Sequence, residues 1–169
     1  MENFVTHRTA LILHAVSASV ALLVGPWQFL PGIRLRRPWL HRYFGRTYAA
    51  TVLTAWVASI PIALHAETGK VAAIGFLALG GFWVVTTAVA VSFILRRRVA
   101  QHRRWMIRSY ALTAAAITLR IYLGLSGALG ISFAEAYPAI AWLCWVPNLL
   151  IVEIFLLRGS EKVAGAPAR

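Results

Sequence analysis

Four histidines are the side chains of this sequence best suited to hold a metal-containing cofactor: His14, His41, His65 and His102. A six-coordinate b-type haem needs two imidazoles that face each other across neighbouring helices. His41 and His65 are 24 residues apart, about 36 Å along one helix, so both fall near helix ends and two haems are disfavoured. A single haem b or a quinone fits better, with His14, His41 and His102 as candidate cofactor ligands.

A second candidate site is formed by Arg120, Glu153 and Asn148, which all fall inside long apolar segments. Arginine at the centre of a membrane helix costs about 2.5–3.5 kcal/mol, so it needs a partner. Helical side chains lean toward the N-terminus of their own helix, which brings Arg120 and Glu153 together if their helices are antiparallel. We therefore expect a buried pair bridged by Asn148, with either a structural role or a role in ligand binding, and we expect His14 to lean away from Arg120.

A short motif occurs twice. The segments Leu40-His41-Arg42-Tyr43-Phe44-Gly45-Arg46-Thr47-Tyr48 and His102-Arg103-Arg104-Trp105-Met106-Ile107-Arg108-Ser109-Tyr110 share His-Arg, a nearby aromatic residue and Arg-Thr/Ser-Tyr. Each copy lies at the expected start of a helix, where free backbone N–H groups and the helix dipole favour anions. Arg46 and Arg108 are therefore candidates to bind either lipid phosphate or an acid group of a cofactor, such as a haem propionate.

The amino-acid composition indicates what class of protein must hold these residues in place. The chain has 169 residues, of which 60% are hydrophobic and 13% are charged, whereas a soluble domain carries about 25% charged residues. Its 17 Lys and Arg against 5 acidic residues give a net charge of +12, and it has one Cys. These values exclude a soluble enzyme and a disulfide-rich domain. The basic residues cluster between apolar runs, which argues against nucleic-acid binding and predicts a polytopic helical membrane protein.

Five continuously apolar segments are long enough to cross a bilayer, which takes about 20 helical residues. The predicted fold is an all-α bundle with spans at residues 9–30, 44–64, 71–95, 107–130 and 137–157, followed by a tail at 158–169. Arginines concentrate in two of the loops, which are therefore predicted to be cytoplasmic, with the N-terminus outside and the tail inside. The membrane expected is the bacterial inner membrane. The loop arginines are Arg34, Arg36, Arg37, Arg42, Arg96, Arg97, Arg98, Arg103 and Arg104.

Four pieces of the chain resemble a family of bacterial membrane proteins known as domain of unknown function 2306. The resemblance implies a helical membrane fold and no particular activity. A looser likeness, carried by Leu40 to Gly45, is to b-type di-haem cytochromes with a Leu-His-x-x-x-Gly motif. The four pieces are His14 with Gly25-Pro26-Trp27-Gln28-Phe29; Leu40-His41-Arg42 with Gly45-Arg46-Thr47-Tyr48; His102 to Tyr110 with Arg120; and Trp142-Leu143-Cys144-Trp145-Val146-Pro147-Asn148-Leu149 with Glu153.

Three functions stay open at this point. The first is a small redox-linked membrane protein that binds haem or quinone. The second is a non-catalytic accessory subunit of a larger membrane complex, or a homo-oligomer, and the third is a transporter of protons or small solutes. Whether the protein is an enzyme is open in all three. Each function places the chain in a lipid bilayer, with anionic phospholipids at the arginine-rich cytoplasmic face.

Overall fold

The computed structural model of the chain describes residues 8–65 and 69–164. Its helices are, in chain order, α1 (Arg8–Val24), a short 3-10 helix (Pro26–Phe29), α2 (Pro31–Arg36), α3 (Pro38–Leu64), α4 (Lys70–Leu95), α5 (Val99–Thr113), α6 (Ala115–Ala128), α7 (Phe133–Leu143) and α8 (Val146–Ala164). No strand occurs in these two described ranges, and the predicted all-α fold is confirmed.

Within the described residues, five helical stretches are long and apolar enough to cross a membrane, as predicted. They are Arg8–Phe29, Pro38–Leu64, Lys70–Leu95, Val99–Ala128 and Phe133–Leu157. The second and fourth stretches begin earlier than expected because their helices continue through the basic segments, which the prediction assigned to loops. Helix α8 runs to Ala164, so much of the predicted tail is helical; residues 165–169 lie outside the described part.

The fourth and fifth membrane-spanning stretches are each interrupted. Helix α5 gives way to α6 at Ala114, and α7 gives way to α8 at Cys144 and Trp145. The second interruption has a clear cause, since Pro147 lies in the first turn of α8 and has no N–H to offer the carbonyl of Leu143. We find no comparable sequence signal at Ala114.

The two interruptions are tied together by polar side chains. The amide nitrogen of Asn148 lies 3.3 Å from the carbonyl oxygen of Ala111, 3.2 Å from Oγ1 of Thr118 and 3.1 Å from the carbonyl oxygen of Cys144. The hydroxyl of Thr118 also donates to the Cys144 carbonyl. Backbone groups freed within a membrane must find partners inside the protein, so Asn148 and Thr118 stabilise both interruptions.

The helices pack through small residues, which let backbones approach closely within a membrane. Helix α1 packs on α3, α4 packs on α3 and α5, α7 packs on α4, and α8 packs on α5. Ala21, Ala55 and Ala90 in this core are fully buried. At the contact between α4 and α7, a Cβ atom on Gly75 would lie 3.1 Å from Ala141, so only a very small residue fits there.

Candidate functional site

The described residues line a cavity of about 910 Å³. Its floor is buried and comes from α4 and α5, where Trp83, Leu112 and Thr113 are 7%, 2% and 4% exposed. Most of the other lining is aliphatic or aromatic. Its basic side chains come from three elements, with His14 on α1, His65 at the end of α3 and Arg120 on α6. A mostly apolar cavity of this size with a few polar groups is typical of a small-molecule site.

His14 is held in a defined orientation by a contact between helices. Its Nδ1 lies 2.9 Å from the carbonyl oxygen of Ala55 on α3. Because a carbonyl oxygen accepts hydrogen bonds and cannot donate them, Nδ1 carries the proton and the neutral ring keeps a lone pair on Nε2. Nε2 makes no hydrogen bond to the described residues. His14 therefore contributes to the cavity lining a nitrogen that can accept a proton or bind a metal.

Arg120 contributes a positive charge to the same cavity. Its Nη1 donates to the carbonyl oxygen of Ala116, one turn back on α6, at 2.6 Å. The guanidinium has five N–H donors, and no carboxylate pairs with it among the described residues. Its side chain is exposed toward the cavity. A charged group in the middle part of a membrane span, with most of its donors unused, is a functional candidate.

His14 and Arg120 lie at similar depths in the bundle. The hydroxyl of Tyr48 lies 2.7 Å from Oγ1 of Thr113, which aligns α3 with α5. Ala55, the partner of His14, follows Tyr48 by seven residues, and Arg120 follows Thr113 by seven residues. Seven residues correspond to about 10 Å of helix in both cases. The expectation that the His14 side chain leans away from Arg120 stays a prediction, although both residues line the same cavity.

We expected from the sequence that Arg120 and Glu153 form a pair, but the structure does not bring them together. Glu153 instead binds Arg108 in a two-pronged ion pair, with Nε to Oε1 at 2.5 Å and Nη2 to Oε2 at 2.8 Å. The guanidinium carbon of Arg108 also lies 4.9 Å from the ring centroid of Trp105. Arg108 is therefore occupied by a structural partner, which argues against its predicted role at a cofactor acid group.

Helix packing explains this correction. Glu153 is on α8, which packs against α5, whereas Arg120 is on α6, which packs against α7. The interruptions within both spans shift the register that an unbroken pair of helices would have. The predicted bridge through Asn148 is also not formed. Asn148 bonds to backbone and to Thr118 at the interruptions, and it does not join Arg120 to Glu153.

His41 and His102 lie near each other at the basic end of the bundle, which we define by Arg34, Arg42 and Arg103. The two imidazoles are close enough to interact electrostatically. His102 Nδ1 lies 2.8 Å from the carbonyl oxygen of Ala90, so this nitrogen donates. This brings together the two copies of the repeated motif, which begin α3 and α5.

His41 has the opposite proton arrangement. The buried amide of Gln28, in the orientation that satisfies both of its ends, donates to the carbonyl oxygen of His41 at 3.1 Å and to its Nδ1 at 3.0 Å. The amide oxygen then accepts from the backbone N–H of Gly45 at 3.3 Å. Because Nδ1 accepts a hydrogen bond, the neutral ring carries its own proton on Nε2, which makes His41 a poor metal ligand here. Arg46, the remaining candidate at this end, is exposed.

His65 shares the cavity with His14 but lies at another level. Its Nδ1 lies 2.8 Å from the carbonyl oxygen of Pro61, and Pro61 is six residues beyond Ala55 on α3. Six residues correspond to about 9 Å of helix. Two axial imidazoles must meet at one iron, so His14 and His65 do not form a two-histidine haem site in this arrangement. The described residues contain no group of three or more His, Cys, Asp or Glu side chains able to hold a metal ion.

Below the cavity floor lies a network of buried hydroxyl groups that sequence reasoning missed. Trp83 Nε1 donates to Oγ1 of Thr113 at 2.9 Å. The Tyr48 hydroxyl lies 2.7 Å from that oxygen and 2.8 Å from Oγ of Ser109, which in turn lies 2.7 Å from Oγ1 of Thr87. The network joins α3, α4 and α5. Its sequence signal is the spacing of four between Ser109 and Thr113 and between Trp83 and Thr87, which places each pair on one helix face.

A comparison with known protein families assigns residues 11–156 to the family described as "Predicted membrane protein (DUF2306)". The chain belongs to this family. The resemblance predicted from the four sequence pieces is confirmed, and with its five candidate spans this family member is a multi-pass membrane protein. No curated protein and no solved structure is detectably similar to the chain. The likeness to b-type di-haem cytochromes stays a prediction.

Proposed function

We propose that this protein binds a lipid-soluble quinone in the cavity between α1, α3, α4 and α6. The observation that carries the proposal is Arg120, a guanidinium that faces a mostly apolar cavity and has no carboxylate partner among the described residues. An unpaired cation within a bilayer is stabilised by a ligand oxygen that accepts its hydrogen bonds. A quinone supplies such an oxygen on an apolar ring that suits the aliphatic lining.

His14 is the proposed proton acceptor of the site. A quinone becomes a quinol by taking up two electrons and two protons, and a quinol hydroxyl needs an acceptor when it is bound away from water. Nε2 of His14 is such an acceptor, because its Nδ1 proton is committed to the Ala55 carbonyl. His14 would hold or receive a proton at Nε2, and Arg120 would donate to the carbonyl oxygen. In this proposal the redox-linked function inferred from the sequence depends on these two residues.

Haem b is the second candidate, and one feature favours it. Metal-bound histidines usually donate their other ring N–H to a backbone carbonyl or a carboxylate, which is the arrangement of His14 with Ala55. Arg120 would then bind a propionate. His14 would be the residue that holds the haem iron, because His41 carries its proton on Nε2 and His65 lies at another depth. A haem when bound would supply one-electron chemistry.

We also propose an orientation. The arginine-rich basic end faces the cytoplasm of a bacterial inner membrane, and the N-terminus lies outside, in accordance with the excess of Lys and Arg in cytoplasmic loops. At this end Arg46 and neighbouring arginines bind anionic phospholipids. A transport role or an accessory role in a larger complex predicts no quinone or haem bound to the purified protein, so the experiment below separates these functions from ours.

The direct test is to purify the protein in a mild detergent with native lipid and determine what it retains. Extraction with organic solvent should recover quinone in a near-stoichiometric amount, and the visible spectrum should lack a Soret band. Arg120→Leu and His14→Ala should each reduce the quinone recovered, whereas Arg46→Leu at the exposed basic end should leave it unchanged. A Soret band lost in His14→Ala would favour haem. Equal, negligible quinone in wild type and Arg120→Leu, without a Soret band, would rule out both ligands.

A further inference from the structure

The residues that line the cavity range from buried to exposed. None of those on α4 and α5 is exposed, and Trp83, Leu112 and Thr113 are buried. Most of the exposed ones lie on two helix edges, with Ala15 and Ser19 on α1 and Ile117, Arg120 and Ile121 on α6; the other two, His65 and Phe133, lie at the end of α3 and the start of α7. The cavity therefore has a closed floor and an opening on the side between α1 and α6.

The packing of the helices independently indicates an opening between α1 and α6. Helix α1 packs mainly on α3, and α6 packs on α7 and on the end of α5. No packing of similar extent joins α1 to α6 among the described residues. Both helices belong to membrane-spanning stretches, so the space between them lies at the depth of the lipid chains.

We propose that this side opening leads into the bilayer and that the ligand is a long-tailed isoprenoid lipid whose head group occupies the cavity while its tail stays among the lipid chains. The inference rests on the proposed quinone site and adds the class of quinone and its access route. Pockets of up to about 1,000 Å³ enclose drug-sized molecules. A cavity of about 910 Å³ is of this size, which suits a head group with the first units of its tail, and the open side leaves room for the rest of a longer tail. Arg120, at the edge of the opening, binds the head group.

The test is a competition experiment with the full chain in lipid nanodiscs. A short-tailed quinone that carries a photoactivatable azide is crosslinked to the protein, and unlabelled quinones with one or with eight isoprenoid units compete at equal mole fraction in the lipid. We expect both competitors to reduce labelling to a similar extent. Ser19→Trp narrows the opening, so it should weaken competition by the long-tailed quinone about tenfold relative to competition by the short-tailed one, a change of about 1.4 kcal/mol.

Val16→Trp is the matched control, because Val16 is 58% exposed on α1 and does not line the cavity; it should behave like wild type with both competitors. Competition by the short-tailed quinone alone in the wild-type protein would overturn the side opening and leave the quinone site standing. Labelling equally weak in wild type and Arg120→Leu would overturn the quinone site itself, and the side opening with it. The comparison of tail lengths in wild type needs no variant to fold.

Discussion

Glu153→Leu should lower the stability of the purified protein by about 1–3 kcal/mol, at or below the lower end of what breaking a buried ion pair costs. The variant leaves the Arg108 guanidinium without the carboxylate that it now contacts at 2.5 and 2.8 Å. The two side chains are 21% and 36% exposed, which is the reason for the lower end of the range. Arg108→Leu should cost a similar amount. The double variant should recover much of the loss, because no uncompensated charge remains.

The measurement is a double-mutant cycle by thermal unfolding in detergent, followed by circular dichroism. Arg120→Leu is the matched control, because it removes the same side chain from the same membrane-spanning stretch. In protein stripped of quinone it should leave stability unchanged or raise it, since Arg120 has no carboxylate partner among the described residues. Additive losses for Arg108 and Glu153, or strong coupling between Arg120 and Glu153, would contradict the ion pair described above.

Gly25→Ala should also be strongly destabilising. A Cβ atom on residue 25 would overlap the ring of Tyr110 on α5 and would lie 3.1 Å from the carbonyl oxygen of Ala21. The ring has little freedom to move, because its centroid lies 5.7 Å from that of Phe29 and its hydroxyl donates to the carbonyl of Leu22. Forcing extra volume into a packed contact of this kind costs about 1–3 kcal/mol, and occasionally more.

Thermal unfolding in detergent measures this effect, and two other glycines supply controls. A Cβ atom on Gly81 or on Gly124 would meet nothing within 4 Å. Gly81→Ala and Gly124→Ala should therefore be neutral or stabilising by up to about 1 kcal/mol, from helix propensity alone. Combining Gly25→Ala with Tyr110→Leu should restore part of the loss. A Gly25→Ala protein as stable as the two controls would disprove the close contact between the first span and α5.

The spans could be predicted from the sequence because the signal is strong and local. Twenty or more apolar residues in a row have few other structures available, and loop arginines separate one run from the next. The helix starts at Pro38 and Val99 were not predicted, because a helical segment that extends past the hydrocarbon carries no apolar signal. These errors do not affect how the cavity forms.

The partner of Arg120 could not be predicted in this way. Its expected contact with Glu153 assumed unbroken helices, and the interruption at Ala114 has no glycine or proline to announce it. The position of His14 depends on α1 packing against α3, which a single sequence does not specify. Gln28 and the Tyr48 network were missed because isolated polar residues reveal a role only when their neighbours are known. The candidate residues of the cavity could thus be named from the sequence, whereas the contacts that hold Arg120 and His14 could not.

Binding of a short-tailed quinone to wild type and Arg120→Leu in nanodiscs tests the central claim most directly, with the thermal unfolding midpoint measured on the same two proteins stripped of quinone. Arg120 donates charge-assisted hydrogen bonds, which contribute about 1.5–3 kcal/mol each. Arg120→Leu should therefore weaken binding by about tenfold or more, with no fall in the unfolding midpoint. Unchanged affinity in Arg120→Leu, measured on protein that unfolds at the wild-type temperature, would contradict a ligand site built around Arg120.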